Sequence, residues 1–308
     1  MKSCDGMISG LSGLGLPRMR SALSLLVTLL VIAGCGVSQT RVLPPEELPF
    51  PAKVATRSEL IEILRKTGES VRTLTARVTL VAAGGAMTTG ALTSYRETNG
   101  TLIVRRPNHI RLKGEAPLAL ATVFDMVSDG ELFRVSVPIR NTFITGDNTA
   151  VTTEANPVLN LRPQHVMEAL FVDVREYLAN PRVLAAMEQQ IEGRRSFYVF
   201  SFIDGSLSNP QMIERVWIDR RNFTVARKQV FGADGIIQTD VDYESYQALP
   251  GVTFPKSISI KRPIEDYSVK ITFVRTIANE TLPEDAFFLA APPGAELIRV
   301  GEIEGNRF

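Results

Sequence analysis

The sequence predicts an α+β protein: a curled antiparallel sheet of about eleven strands, an open half-barrel covered by two to four helices. Three observations carry this. From Thr73 onward apolar residues recur at every second position in short segments separated by Gly, Pro, Asn and Asp. Helical stripes occur only at the start and in the middle of that run. Ser196 to Ile203 is apolar on both faces, which marks a central strand covered on each side. A sheet this long curls, and its apolar face then needs helices to cover it.

The chain opens on a targeting signal. Arg18 and Arg20 precede a nearly continuous apolar run from Ala22 to Ala33, and no charge follows until Arg41. A basic start, a short apolar centre and small residues at its end make a secretory signal peptide. The run is short of the roughly 20 apolar residues that cross a bilayer. Ile32-Ala33-Gly34-Cys35 resembles the bacterial lipobox, in which the cysteine is acylated and becomes the new N-terminus. That resemblance implies cleavage after residue 34, a lipid on Cys35 and an extracytoplasmic body. Stable attachment takes two or more acyl chains, which a lipobox cysteine receives.

Composition narrows the function. Lys and Arg number 34 against 33 Asp and Glu, so no excess of cations points to nucleic acid. Of the two cysteines, Cys4 lies before the cut and Cys35 is the lipidation site, so the body has no disulfide. Residues 35–55 carry the lipid and a spacer with Pro44, Pro45, Pro49 and Pro51. The domain proper spans 56–290, and 291–308 reads as a loosely held tail.

Thr56-Arg57-Ser58-Glu59 fits a capping box, and Leu60, Ile61 and Leu64 follow at helical spacing, so a helix is expected over 57–69. Leu74, Ala76, Val78 and Leu80 then alternate with polar residues as a strand. Strands are expected over 91–96, 101–106, 109–113, 122–128, 131–137 and 141–145, with Asp129-Gly130 as a hairpin turn. Pro163 opens a helix whose stripe is Val166, Met167, Leu170, Phe171 and Val174. After Asn180-Pro181, the spacing of Val183, Leu184, Met187 and Ile191 suggests a second short helix. Strands resume over 196–203, 214–219, 224–231, 237–244, 257–261 and 267–273. Asp240, Asp242 and Glu244 read as the wet face of one of them.

The order of anchor, helix, strands, helical insertion and further strands resembles the bacterial outer-membrane lipoprotein carrier and receptor superfamily over about residues 56–290. The local support is Arg106-Pro107-Asn108-His109-Ile110-Arg111-Leu112, Glu115-Ala116-Pro117-Leu118, Val216-Trp217-Ile218-Asp219 and Gly251-Val252-Thr253-Phe254-Pro255. The lipid anchor matches the receptor type. The resemblance implies an apolar cavity for acyl chains or lipoproteins, a role in their localisation to the outer membrane, and a soluble periplasmic lipoprotein carrier as a partner. It places the protein on the periplasmic face of that membrane. Leu118 and Leu120 stand where the receptor type has its membrane-contacting loop, although Leu118-Ala119-Leu120 replaces a more glycine-containing sequence, and they read equally as the ordinary start of the next strand.

An acyl chain gains about 0.8 kcal/mol per CH₂ removed from water, so its site needs apolar walls and no reactive groups. The candidate walls are Val78, Leu80, Phe124, Met126, Phe133, Met167, Leu170, Phe171, Phe200 and Phe202; each is equally an ordinary core residue. Catalysis has little footing. Only His109 and His165 exist, and neither has a second His or Cys at metal-ligand spacing. His165 and Glu168, one turn apart, suit a solvated helix face better than half a metal site. No nucleophile elbow or phosphate-cradling loop occurs, and no cofactor is called for. The alternative reading is a non-catalytic scaffold of an envelope complex.

If Cys35 carries the anchor, Cys35→Ala moves the protein from the membrane pellet to the soluble periplasmic fraction. Retention in the pellet after a high-salt wash rules the lipid out as the anchor.

Overall fold

A computed structural model describes residues 52–85, 93–116, 121–148, 162–206 and 208–300. Helix α1 (Arg57–Glu69) starts as its capping box demands. The Thr56 hydroxyl accepts from the Glu59 amide at 3.3 Å, and the Glu59 carboxylate accepts from the Thr56 amide at 2.7 Å. Its apolar stripe buries Leu60 and Leu64 completely.

Seven strands follow: β1 (Thr73–Gly84), β2 (Thr93–Ser94), β3 (Thr98–Arg105), β4 (His109–Glu115), β5 (Thr122–Ser128), β6 (Leu132–Val137) and β7 (Thr142–Asp147). Two helices come next, α2 (Pro163–Leu170) and α3 (Arg175–Ala179). The chain then returns to strands: β8 (Val183–Glu192), β9 (Arg195–Asp204), β10 (Gln211–Asp219), β11 (Val225–Phe231), β12 (Ile237–Leu249), β13 (Val252–Arg262), β14 (Tyr267–Ala278) and β15 (Glu296–Val300). The described residues thus hold one open sheet of fifteen strands rather than about eleven, with three α-helices.

Two of the extra strands fall on segments expected to be something else. Residues 183–192 are an edge strand, not a helix. Gly193 takes the positive φ of a two-residue hairpin turn, and Glu192 pairs with Arg195, so β9 templates the segment as its neighbour. Val183, Ala185 and Met187 then point one way at period two, a reading their positions allow as well as a helical one. The tail is also tied down. Residues Glu296–Val300 pair in parallel with Thr142–Gly146, and the Asn141 side chain donates to the Gly294 carbonyl at 2.8 Å. Every other pairing in the sheet is antiparallel.

The sheet order is β15-β7-β6-β5-β4-β3-β1-β14-β13-β12-β11-β10-β9-β8, with β2 beside β1. Helix α2 touches β4, β5 and β13. Strands β5 and β13 are five steps apart in that order, about 24 Å in a flat sheet. A helix is only about 10 Å across, so the sheet must curl around α2 to reach it from both sides. One apolar core results. Leu102, Leu112 and Met126 from one half join Phe200, Val216, Val241 and Ile258 from the other, around Leu60, Leu64, Val166, Met167 and Leu170 of the helices.

Strand β9 is covered on both faces, as its sequence requires. Tyr198, Phe200 and Phe202 enter the main core, while Phe197 and Val199 pack with Trp217 and Ala226 in a small outer cluster. Asp240, Asp242 and Glu244 face outward and are paired across strands with Arg227, Lys261 and Lys270. Asp240 is itself buried by that layer.

Phe200→Ala should cost about 3–5 kcal/mol by emptying a fully buried site. Ile191→Ala, at a residue 76% exposed, should stay within about 0.5 kcal/mol. Urea midpoints for the two variants check the contrast.

Candidate functional site

Alternation decides which side chains of β10 and β11 face α2. Val216 and Ile218 belong to the main core, and Glu214 is in phase with them. Lys228 stands opposite Val216, and Val230 opposite Glu214. A carboxylate and an ammonium therefore lie on the inner, otherwise apolar face, one diagonal step apart. Each is almost fully buried, with 5% of Glu214 and 4% of Lys228 exposed.

Lys228 has a clear local task. Its Nζ donates to the Glu168 carbonyl at 2.6 Å and to the Phe171 carbonyl at 2.8 Å. These belong to the last turn of α2, where carbonyls lack helical partners and the helix dipole favours a cation. Glu214 is less well served. Its Oε1 has no hydrogen-bond partner among the described residues, and neither has Gln164 Oε1. Burial pushes the Glu214 carboxyl above the usual range, while Lys228 and the Tyr177 hydroxyl pull the other way.

These groups line a cleft of about 430 Å³. Met167, Phe171 and Val230 supply its apolar walls; Gln164, Tyr177, Glu214 and Lys228 supply polar ones. A second cleft of about 740 Å³ shares Arg106, Pro107, Glu168 and Asp173 with it. Arg106 builds that common wall. It donates to the Gly68 carbonyl near the end of α1 and to the Asp173 carboxylate, and its guanidinium lies 5.1 Å from the Phe171 ring centroid. Asp173 also takes a forked pair of hydrogen bonds from Arg175, at 2.8 and 2.6 Å. A third cleft, about 640 Å³ and lined by Arg195, Asp219, Arg221 and Tyr243, has both arginines paired with Asp219.

The other polar feature of α2 is a pin rather than half a metal site. His165 Nδ1 lies 2.7 Å from the Tyr267 hydroxyl, and Nε2 lies 3.2 Å from Arg262. A guanidinium only donates, so Nε2 accepts and Nδ1 carries the proton. Burial, then the charges of Arg262 and Arg162, pull the imidazole down to about 3, so it is neutral at ordinary pH. The expectation of a solvated face at His165 gives way to this packing against β13 and β14. Among the described residues no group of three His, Cys, Asp or Glu side chains is placed to hold a metal ion. Nor is any described helix long and apolar enough to cross a membrane.

Of the expected cavity residues, Val78, Leu80, Met126, Met167, Leu170, Phe200 and Phe202 are buried in the main core, and Phe124 and Phe171 pack at its edge. Met167 and Phe171 also line the cleft. Phe133 is fully buried but lies outside that core, under the Arg162 guanidinium at 4.5 Å. Cys35, Leu118 and Leu120 lie outside the described residues. Sequence reasoning missed Glu214 and Lys228. Glu214 had a legible signal, being in phase with Val216 and Ile218. Lys228 did not, because a bulge at Trp217/Ile218 shifts the phase of β11.

Partial burial opposes ionisation of Asp173, but hydrogen bonds from Arg175 and Arg106 outweigh it and hold its pKa at about 2, below the ordinary 3.8. A depressed carboxylate stabilises the fold above its unfolded pKa and loses that contribution as pH falls through the folded value. The stability gap between parent and Asp173→Asn should be constant above pH 3.8 and shrink down to about pH 2. Urea titrations across that window check it; a gap unchanged at low pH rules the ion pairs out as its source.

No protein-family model matches the chain, and no curated protein matches it by sequence. Solved structures do match, among them proteins of the LolA superfamily and of the DUF1329 family. A DUF1329 family protein from Desulfovibrio piger superposes with a TM-score of 0.51 at 8% identity, over 75% of this chain and 95% of that one. A LolA superfamily protein from Nitrosomonas europaea gives 0.45 at 12% identity, over 77% and 99%. A candidate outer membrane lipoprotein-sorting protein domain from Vibrio parahaemolyticus gives 0.47 at 10% identity, over 74% and 94%. At these identities the likeness is one of fold, and the Desulfovibrio piger structure carries it: the chain is similar in architecture to a DUF1329 protein.

Proposed function

We propose that this protein is a non-catalytic, lipid-anchored lipoprotein of the bacterial envelope. In this reading it binds acyl chains, free or on lipoproteins, and assists their placement at the outer membrane. One observation supports the reading above the others. Beside α2 the curled sheet leaves a cleft of about 430 Å³ with apolar walls at Met167, Phe171 and Val230, within the size range of ligand sites. The core directly behind it is apolar, so a chain laid along the cleft gains about 0.8 kcal/mol for each CH₂ it buries. Cys35 would hold the body at the periplasmic face, and Leu118 and Leu120 would touch the membrane or the incoming lipoprotein. A soluble periplasmic carrier would deliver the cargo.

A second reading, an envelope scaffold, draws on β8. This ten-residue strand ends the sheet among the described residues, with Leu184 57% and Ile191 76% exposed, a surface suited to strand addition.

The chain carrying Cys35→Ala, secreted to the periplasm and examined by native mass spectrometry with lipid extraction, should carry a phospholipid or an acylated peptide. Protein that is empty as isolated and stays empty after incubation with lipoprotein selects the scaffold.

A further inference from the structure

The inner face of β10 and β11 is otherwise apolar, yet it carries a buried carboxylate and a buried ammonium whose bonding capacity is not exhausted. Lys228 has three donors and spends two on the end of α2. Glu214, 95% shielded from solvent, keeps Oε1 without a partner among the described residues while lining the cleft. Leaving a buried polar oxygen unpaired is costly, and such groups ask for a partner or a role. Gln164 Oε1, which also lines the cleft, is a further acceptor in the same condition.

The chemistry of a matching ligand head follows from what these groups lack. It must accept one hydrogen bond, from the remaining Lys228 proton, and donate at least one, to Glu214 Oε1. It must also bring no charge. Lys228 and Glu214 compensate each other; a carboxylate head would face Glu214 and an ammonium head would face Lys228, each leaving a buried charge in excess. A carbonyl next to an N–H meets all three demands.

We propose that the cleft is a subsite for an uncharged amide head, its carbonyl on Lys228 Nζ and its N–H on Glu214 Oε1, with the attached chain along Met167, Phe171 and Val230. The subsite rests on the acyl-binding function proposed above and adds to it a selection: N-acyl amides over free fatty acids and over alkyl amines. Gln164 Oε1 receives a second N–H where the amide continues into a peptide.

The test compares three probes of equal tail length, N-decanoylethanolamine, decanoate and decylammonium, on the full chain carrying Cys35→Ala. Binding is read by competition with a fluorescent apolar probe, below the concentration at which any of them aggregates. The amide should bind about tenfold or more tightly than either charged probe, as befits one charge-assisted hydrogen bond. Glu214→Leu, which leaves the buried Lys228 ammonium uncompensated, should reverse the preference so that decanoate binds more tightly than the amide, while the apolar probe still binds. Glu214→Gln, which keeps an acceptor but not the charge, should keep the amide ahead of decylammonium and lose its advantage over decanoate. Thermal unfolding of each variant shows whether it is folded, and Lys228→Met is avoided as the primary test because Lys228 also caps α2. Equal binding of all three heads by the parent overturns the subsite and leaves the acyl-binding function standing. So does a preference unchanged in Glu214→Leu. If no probe binds and the apolar probe fails as well, both proposals fall.

Discussion

Strand β1 is the seam on which this molecule depends. It leaves α1 and forms ladders on both sides, with β3 from Thr73↔Arg105 to Leu80↔Thr98 and with β14 from Leu74↔Ala278 to Gly84↔Tyr267. Take it away and the chain is two separate meanders, β3 to β7 and β8 to β14, each with an apolar face and neither able to cover it. The β1–β14 ladder joins residues some two hundred positions apart. Closing that loop costs chain entropy that the contacts of the ladder must repay. Asn279 secures its end, accepting from the Arg72 amide at 2.7 Å and donating to the Ser70 carbonyl at 2.8 Å.

Once the seam is made, the curl has an inside, and α2 is what fills it. An eight-residue helix is too short to be stable alone, so its place is set by what holds it. Val166, Met167 and Leu170 supply burial. Orientation comes from polar groups at defined points: His165 on Tyr267, Lys228 on the last carbonyls, and Tyr243 donating to the Ala169 carbonyl at 2.8 Å. Apolar contacts alone would let the helix slide or turn within a greasy trough. A few satisfied polar contacts select one position, and the same polar walls give the neighbouring cleft its character.

The features legible beforehand were those in which one pattern excludes the others. The capping box at Thr56 and Glu59 has a single geometric use, and it located α1. The strict alternation of Tyr267, Val269, Ile271 and Phe273 located β14. Ambiguity entered where a segment satisfied two periods at once. Val183, Leu184, Met187 and Ile191 suit a helix by spacing, and only their neighbour β9 makes them a strand. The tail strand β15 was hidden for a related reason: five residues at an edge, largely exposed, bear no core pattern, and the β7 backbone alone specifies them. The cleft was harder still to foresee. Met167 and Phe171 were among the residues expected to line a cavity, but Val230 and Lys228 lie on β11, whose facing depends on a bulge.

Trp217 shows how differently the two sides of the sheet behave. It is the chain's single tryptophan, and it projects from β10 on the side away from α2. The guanidinium groups of Arg215 and Arg227 lie 5.7 and 5.2 Å from its ring centroid, and its Nε1 donates to Gln190 at 2.9 Å. The backbone layer of the sheet separates this indole from the cleft. Its emission is therefore a spectroscopic gauge of the outer arginine layer. It reports loss of the fold, and an occupant arriving beside α2 leaves it dark to the event.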